Sequence, residues 1–165
     1  MTVRIVTDST ADLPPDVSDR LGIAVVPLNI HVGDDTFQDG VTISTAGFYN
    51  LLTTGHILPK TSAPSSGSFM ETYERLARET DEILSIHIST RLSATHASAL
   101  VAKQGVEAPC HIEIVDSLSA SIGLGVLVVQ AAMLAQQGAD LTTILAATQK
   151  SIPRTQFFGL LDTLE

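Results

Sequence analysis

Short strand-like runs alternate with helix-like segments along this chain, and that alternation constrains the fold more than any other feature. The strand candidates are "VRIVT" (3–7), "IAVVPLNI" (23–30), "ILSIHI" (83–88) and "HIEIV" (111–115), each rich in β-branched residues and bounded by breakers. Between them "PPDVSDRLG" opens with proline and stops at glycine, and "STAGFYNLLTTG" offers Ser44 as an N-cap. In "SSGSFMETYERLARETD", Phe69, Tyr73, Leu76 and Ala77 fall on a single helical face. "GLGVLVVQAAMLAQQG" is apolar almost all round, which predicts a helix buried on several sides. "DLTTILAATQKSIP" has Asp140 as its cap and Pro153 past its end. Strands alternating with helices predict an α/β fold with a mainly parallel sheet covered on both faces. The last run, "TQFFGLLDTLE" (155–165), reads as a strand over Thr155–Leu160 leading into a helix start. The expected organisation is one α/β domain over 1–154, with 155–165 the beginning of a truncated second domain or a connecting strand.

At 165 residues the chain can bury a core without disulfides. Hydrophobic residues make up 44% and aromatic ones 4%, so small aliphatic side chains do the packing. The formal charge of −9 repels phosphate backbones and anionic membranes, which argues against nucleic acid as a partner. The longest apolar stretch, Gly123–Ala135, falls short of the roughly 20 residues that a bilayer span needs, so no membrane insertion is expected. The N-terminus shows neither a basic leader nor a long apolar segment. The single cysteine, Cys110, rules out an internal disulfide and reads as a small residue near a strand start. Together these features predict a cytoplasmic protein.

In open parallel sheets, ligands sit beyond the carboxyl ends of the strands. Two strands end there in the same dipeptide, Asp8-Ser9 and Asp116-Ser117, and both pairs either cap a helix or shape a crevice loop. "KTSAPSSGSF" (60–69) adds Thr61 and Ser62 ahead of Pro64 and places further hydroxyls at a helix start. "STRLSATHASA" (89–99) follows the third strand with five hydroxyls and no carboxylate, so Ser93 and Thr95 also belong to the strand-exit side. G-x-S-x-G and Walker A patterns are absent, and Val128 stands where a dinucleotide fingerprint needs its third glycine. His31, His56, His87, His96 and His111 show neither metal-ligand spacing nor an obvious Ser–His–Asp context, so no metal or cofactor is expected. His96 reads as a surface residue on a helix. Hydroxyls without a base do little acid–base work, yet they donate well to a carboxylate or phosphate. The residues favour binding over catalysis. The alternative is a phosphatase-like hydrolase with Asp8 as nucleophile, although Thr10 stands two residues on where a second carboxylate would be wanted.

Five stretches in order, "TDSTADLP" (7–14), "PLNIHVGDDTFQDG" (27–40), "KTSAPSSGSF" (60–69), "ISTRLSATHASA" (88–99) and "VDSLSASIGLG" (115–125), resemble the DegV proteins, bacterial fatty-acid-binding proteins. The resemblance implies a three-layer α/β/α N-terminal domain packed against a second domain, with a long-chain fatty acid between them. It implies that hydroxyls at the positions of Thr61 and Ser93 hold the carboxyl end, and that a partner fatty-acid kinase phosphorylates it. It implies further that the binding protein itself performs no chemistry and that the pathway served is phospholipid synthesis. Leu92, Phe69, Ile122, Leu124 and Val128 are candidates both for acyl-chain walls and for the core. The family commonly has Leu-Ser-Gly-Thr where this chain has Leu92-Ser93-Ala94-Thr95, so a positive φ at Ala94 would alter the head-group site. An apolar face left uncovered would favour homo-oligomers.

Overall fold

A computed structural model describes residues 2–55 and 57–158. In chain order its elements are β1 (Arg4–Asp8), α1 (Pro15–Leu21), β2 (Ala24–Val26), β3 (Asn29–Val32), β4 (Asp35–Gln38), α2 (Thr45–Thr54), β5 (Lys60–Ser62), α3 (Ser66–Ala77), β6 (Glu82–His87), α4 (Thr95–Gly105), β7 (His111–Asp116), α5 (Ser121–Gln136) and α6 (Leu141–Ser151). β2, β1, β6 and β7 form, in that order, a wholly parallel sheet. Helices cover both its faces, giving three α/β/α layers.

The two-residue period of β6 shows why both faces must be covered. Ile83, Ser85 and His87 alternate with Leu84 and Ile86, and all five are buried. Leu84 and Ile86 join a core with Leu124, Val128 and Ala131 of α5 and Leu141 and Ile144 of α6. Ile83 joins the opposite core, with Phe69, Tyr73 and Leu76 of α3 and Ala99 and Ala102 of α4. Each fully buried Phe or Leu contributes about 1.5–3 kcal/mol. Local signals set the helix ends. Ser44, Ser65 and Asp140 each accept a backbone N–H of the following turn, and Gly22 closes α1 at φ 64°. The Thr143 amide on Asp140 holds that carboxyl below its ordinary range. Cys110 precedes β7 and packs against the α3/α4 core.

Four sequence expectations change. "IAVVPLNI" is two strands, because Pro27 has no N–H for a ladder; β2 lies in the parallel sheet and β3 leaves it. β3 then centres a second sheet, antiparallel, in the order β4-β3-β5, which the sequence reading did not foresee. α5 is buried on one side, but Ile122, Val126 and Met133 are exposed on another. Thr155–Phe158 belong to no regular element, and the rest of the expected strand and the helix after it lie outside the described residues. Among the described residues no helix is long and apolar enough to cross a membrane.

Candidate functional site

The carboxyl ends of the parallel strands release loops that are tied to one another. Asp116 accepts from Thr90 N (3.2 Å) and Leu118 N (2.9 Å) on Oδ1 and from Thr90 Oγ1 (2.6 Å) on Oδ2. Ser89 N donates to the Ser119 carbonyl at 2.9 Å, and Ser117 N to the His87 carbonyl at 3.0 Å. Ser9 Oγ accepts from Leu28 N at 3.1 Å, and Ser121 Oγ donates to Asp12 Oδ2 at 2.5 Å. These loops also contain the non-glycine residues with positive φ: Asp12 at 49°, Leu118 at 52° and Ser121 at 51°. Such conformations cost about 1–3 kcal/mol each and persist where the surroundings over-determine them, typically at functional sites.

The candidate residues divide by what their oxygens do. Asp8, Ser9, Asp116 and Ser117 are fasteners; Ser117 Oγ donates to the Ser119 carbonyl and accepts from its amide. Ser93 is half-buried, with Oγ 2.8 Å from Thr95 Oγ1 and accepting from Thr95 N at 3.2 Å. Thr95 itself is buried. Thr61 and Ser62, ahead of Pro64, sit on β5, and both are exposed. Adjacent strand positions face opposite sides, so these two cannot meet one head group from the same side. Ser62 Oγ meets His31 Nε2 at 2.9 Å, whereas Thr61 aligns with buried Ile30 across the ladder. The sequence reading passed over Ser119, whose buried hydroxyl has no partner among the described residues; its signal was a place in "VDSLSASIGLG" between two loop-fixing residues.

Ala94 lies at φ −79° and ψ 3°, outside the left-handed region that favours glycine. Glycine at this position would therefore relieve no strain. It caps a helix slightly better than alanine but loses more chain entropy on folding. Ala94→Gly is thus expected to change stability by no more than about 1 kcal/mol in urea unfolding.

Below the loops lies a polar chain that sequence could not show. The Tyr73 hydroxyl meets Ser85 Oγ at 2.8 Å, Ser85 Oγ meets His87 Nε2 at 2.7 Å, and His87 Nδ1 meets Asp8 Oδ2 at 2.9 Å. His87 thus does have a Ser–His–Asp setting, but all of these groups are sealed. Asp8 Oδ1 accepts from Thr10 N and Thr10 Oγ1 at 3.1 and 2.5 Å, and Oδ2 accepts also from Ile88 N at 3.1 Å. Burial would raise the Asp8 carboxyl, yet the His87 contact, Thr10 and the Ile88 amide together hold it below its ordinary value. With both oxygens engaged and no exposure, Asp8 offers nothing to an incoming phosphate, and the hydrolase alternative loses its geometric basis.

A family model described as "Uncharacterised protein, DegV family" matches residues 2–165. The chain belongs to the DegV family. A DegV domain-containing protein of Caldanaerobacter subterraneus is 36% identical over 163 residues, which are 99% of this chain and 58% of that one. A DegV family protein of Thermus thermophilus, described as fatty-acid binding, superposes with a TM-score of 0.83 at 37% identity, covering 93% of this chain and 54% of its own. DegV of Bacillus subtilis, described as a fatty acid binding protein, gives a TM-score of 0.88 at 27% identity over the same shares, 93% and 54%. The chain spans little more than half the length of these relatives.

In this DegV chain the wall candidates separate cleanly. Phe69, Leu124 and Val128 are fully buried core, Phe69 on the α3 side of the sheet and the other two on the α5 side. Leu92 (60% exposed) and Ile122 (73%) are open, as is Leu118 (58%). Ile122 continues into a groove of about 1080 Å³ between α1 and α5, walled by Leu13, Val17, Val126, Met133 and Leu134. His96, in the first turn of α4, is half-buried rather than a plain surface residue; burial pushes its pKa down, against the pull of Asp116.

Proposed function

We propose that this α/β/α unit is the N-terminal domain of a carrier for a long-chain fatty acid, with the acid's carboxylate on hydroxyl donors at the strand exits. The observation that carries the reading is Ser93, a half-buried hydroxyl at the exit of β6, on a loop that also bears the open Leu92 and that Thr90 ties through Asp116 to the loop bearing the open Leu118. Fatty-acid binding in the Thermus and Bacillus relatives supports it. Each methylene removed from water contributes about 0.8 kcal/mol, so an acyl chain needs apolar walls and few polar anchors. Thr61 is the second proposed anchor. Ser93 touches no base, since its described side-chain partner is Thr95. A carboxylate held by neutral hydroxyls keeps its nucleophilicity, which suits hand-over to a fatty-acid kinase that forms an acyl phosphate; the carrier itself does no chemistry.

The test is ligand extraction and mass spectrometry of the full-length protein, which should return a long-chain fatty acid. Ser93→Ala should weaken stearate binding about tenfold, the worth of a hydrogen bond to a charged group, with melting temperature little changed. Recovery of no acyl chain, together with unaltered affinity in Ser93→Ala, overturns the reading.

A further inference from the structure

The chain from Tyr73 to Asp8 touches no ligand in the reading above, yet its end lies under the anchoring loop. Its direction of donation is set by its last member. An ionised carboxylate can only accept, so His87 donates from Nδ1, and a bare Nε2 is what gives the Ser85 hydrogen an acceptor. Ser85 in turn accepts from Tyr73, and every proton has a partner. Run the other way, the chain would leave the Tyr73 hydrogen without an acceptor, because Ser85 is its partner among the described residues. The Phe69 ring packs edge-on to the imidazole at 4.9 Å and 79°, which keeps the ring from rotating out of this arrangement.

Asp8 Oδ2 receives both His87 Nδ1 and the Ile88 amide. Ile88 is the first residue past β6, and the next residue, Ser89, organises the loop. Its carbonyl accepts from Leu92 N at 2.9 Å and Ser93 N at 3.1 Å. A single carboxylate oxygen therefore joins the buried chain to the backbone that carries Ser93. The other titratable groups around the imidazole are Asp116, its ladder partner on β7, and His96 on α4.

We infer that the buried Tyr73–Ser85–His87–Asp8 chain positions the carboxylate anchor, its one-way donation keeping an acceptor under the Ile88 amide and thereby holding the Ser89–Thr95 loop in the shape that presents Ser93. His87 and Asp8 are positioning residues, and the inference rests on the fatty-acid reading. The experiment uses full-length protein uniformly labelled with ¹⁵N. His87 should appear as the Nδ1–H tautomer, and His87→Leu should shift the Ile88 amide resonance and raise the stearate Kd about tenfold. His87→Gln, which keeps one donor and one acceptor, should recover most of that affinity. Leu76→Ala, a purely apolar loss in the same core, should lower the melting temperature and leave Kd unchanged. An Nε2–H tautomer in the wild type overturns the inference even if His87→Leu does not fold. So does wild-type affinity in His87→Leu, or a Kd loss in Leu76→Ala equal to that in His87→Leu. A wild type that binds no stearate overturns the fatty-acid reading instead, and shows itself before any variant is compared.

Discussion

Asp8→Ala should lower the free energy of unfolding by about 3–5 kcal/mol, measured in urea, because several buried groups lose their acceptor at once. The backbone N–H groups of Thr10 and Ile88, the Thr10 hydroxyl and His87 Nδ1 all donate to this one carboxylate. Asp8→Asn should recover only part of the loss. Its amide NH2 must replace one oxygen, and each oxygen serves a backbone N–H, so either orientation leaves Thr10 or Ile88 unpaired. The wild type carries a second signature. A carboxyl whose folded value is depressed contributes stability that is complete above its unfolded value, near 3.8, and is lost as the pH falls through the lower folded value. The acid limb of the wild-type stability curve should therefore be steeper below that point than the limb of Asp8→Asn. Parallel acid limbs, or a loss in Asp8→Ala under about 1 kcal/mol, as at an ordinary surface site, would show that the carboxylate is not the fastener its contacts indicate.

The parallel sheet was legible because its central strands β1 and β6 are buried on both faces, which leaves continuous aliphatic runs such as "ILSIHI" with no competing pattern. The helix caps at Ser44 and Asp140 were legible for a local reason: each cap and the N–H it accepts are three residues apart. The second sheet was missed, although Gly33-Asp34 is a two-residue turn with Gly33 at φ 63°, which joins β3 to β4. Its strands are short and half-exposed, and β5, "KTS", carries no apolar residue to announce itself. That omission hid that Thr61 and Ser62 lie on a strand and face opposite ways. The polar chain under the loops was beyond reach for another reason. His87 and Asp8 are 79 residues apart and are neighbours only because β1 and β6 pair. Ala94, the point at which the sequence departs from the usual family motif, turned out to need no glycine.

Gly125→Ala should destabilise the protein by about 1–3 kcal/mol, although alanine is the better helix former by up to about 1 kcal/mol. A Cβ at this position would lie 2.6 Å from the Ala11 carbonyl oxygen and 3.3 Å from Leu13 Cδ2. The obstacle is backbone, in the turn that Asp8 caps, and Ala11 is itself buried, so it cannot swing aside as a side chain would. The strain must push α5 away from the loop after β1. That displacement pulls on the Ser121–Asp12 contact and opens the apolar groove whose two walls Gly125 brings together. On the fatty-acid reading, with the acyl chain lying in this groove, stearate affinity should fall along with stability, and Gly125→Val should fall further on both measures. Gly123→Ala is the internal comparison, because the atom its Cβ would meet most closely is the Ser119 hydroxyl, a side-chain atom with no hydrogen-bond partner among the described residues to lose, rather than backbone. It should cost less stability than Gly125→Ala by urea unfolding. A Gly125→Ala protein that gains stability and keeps wild-type affinity would mean that α5 and the β1 loop slide apart freely, and that their close approach does not set the width of the groove.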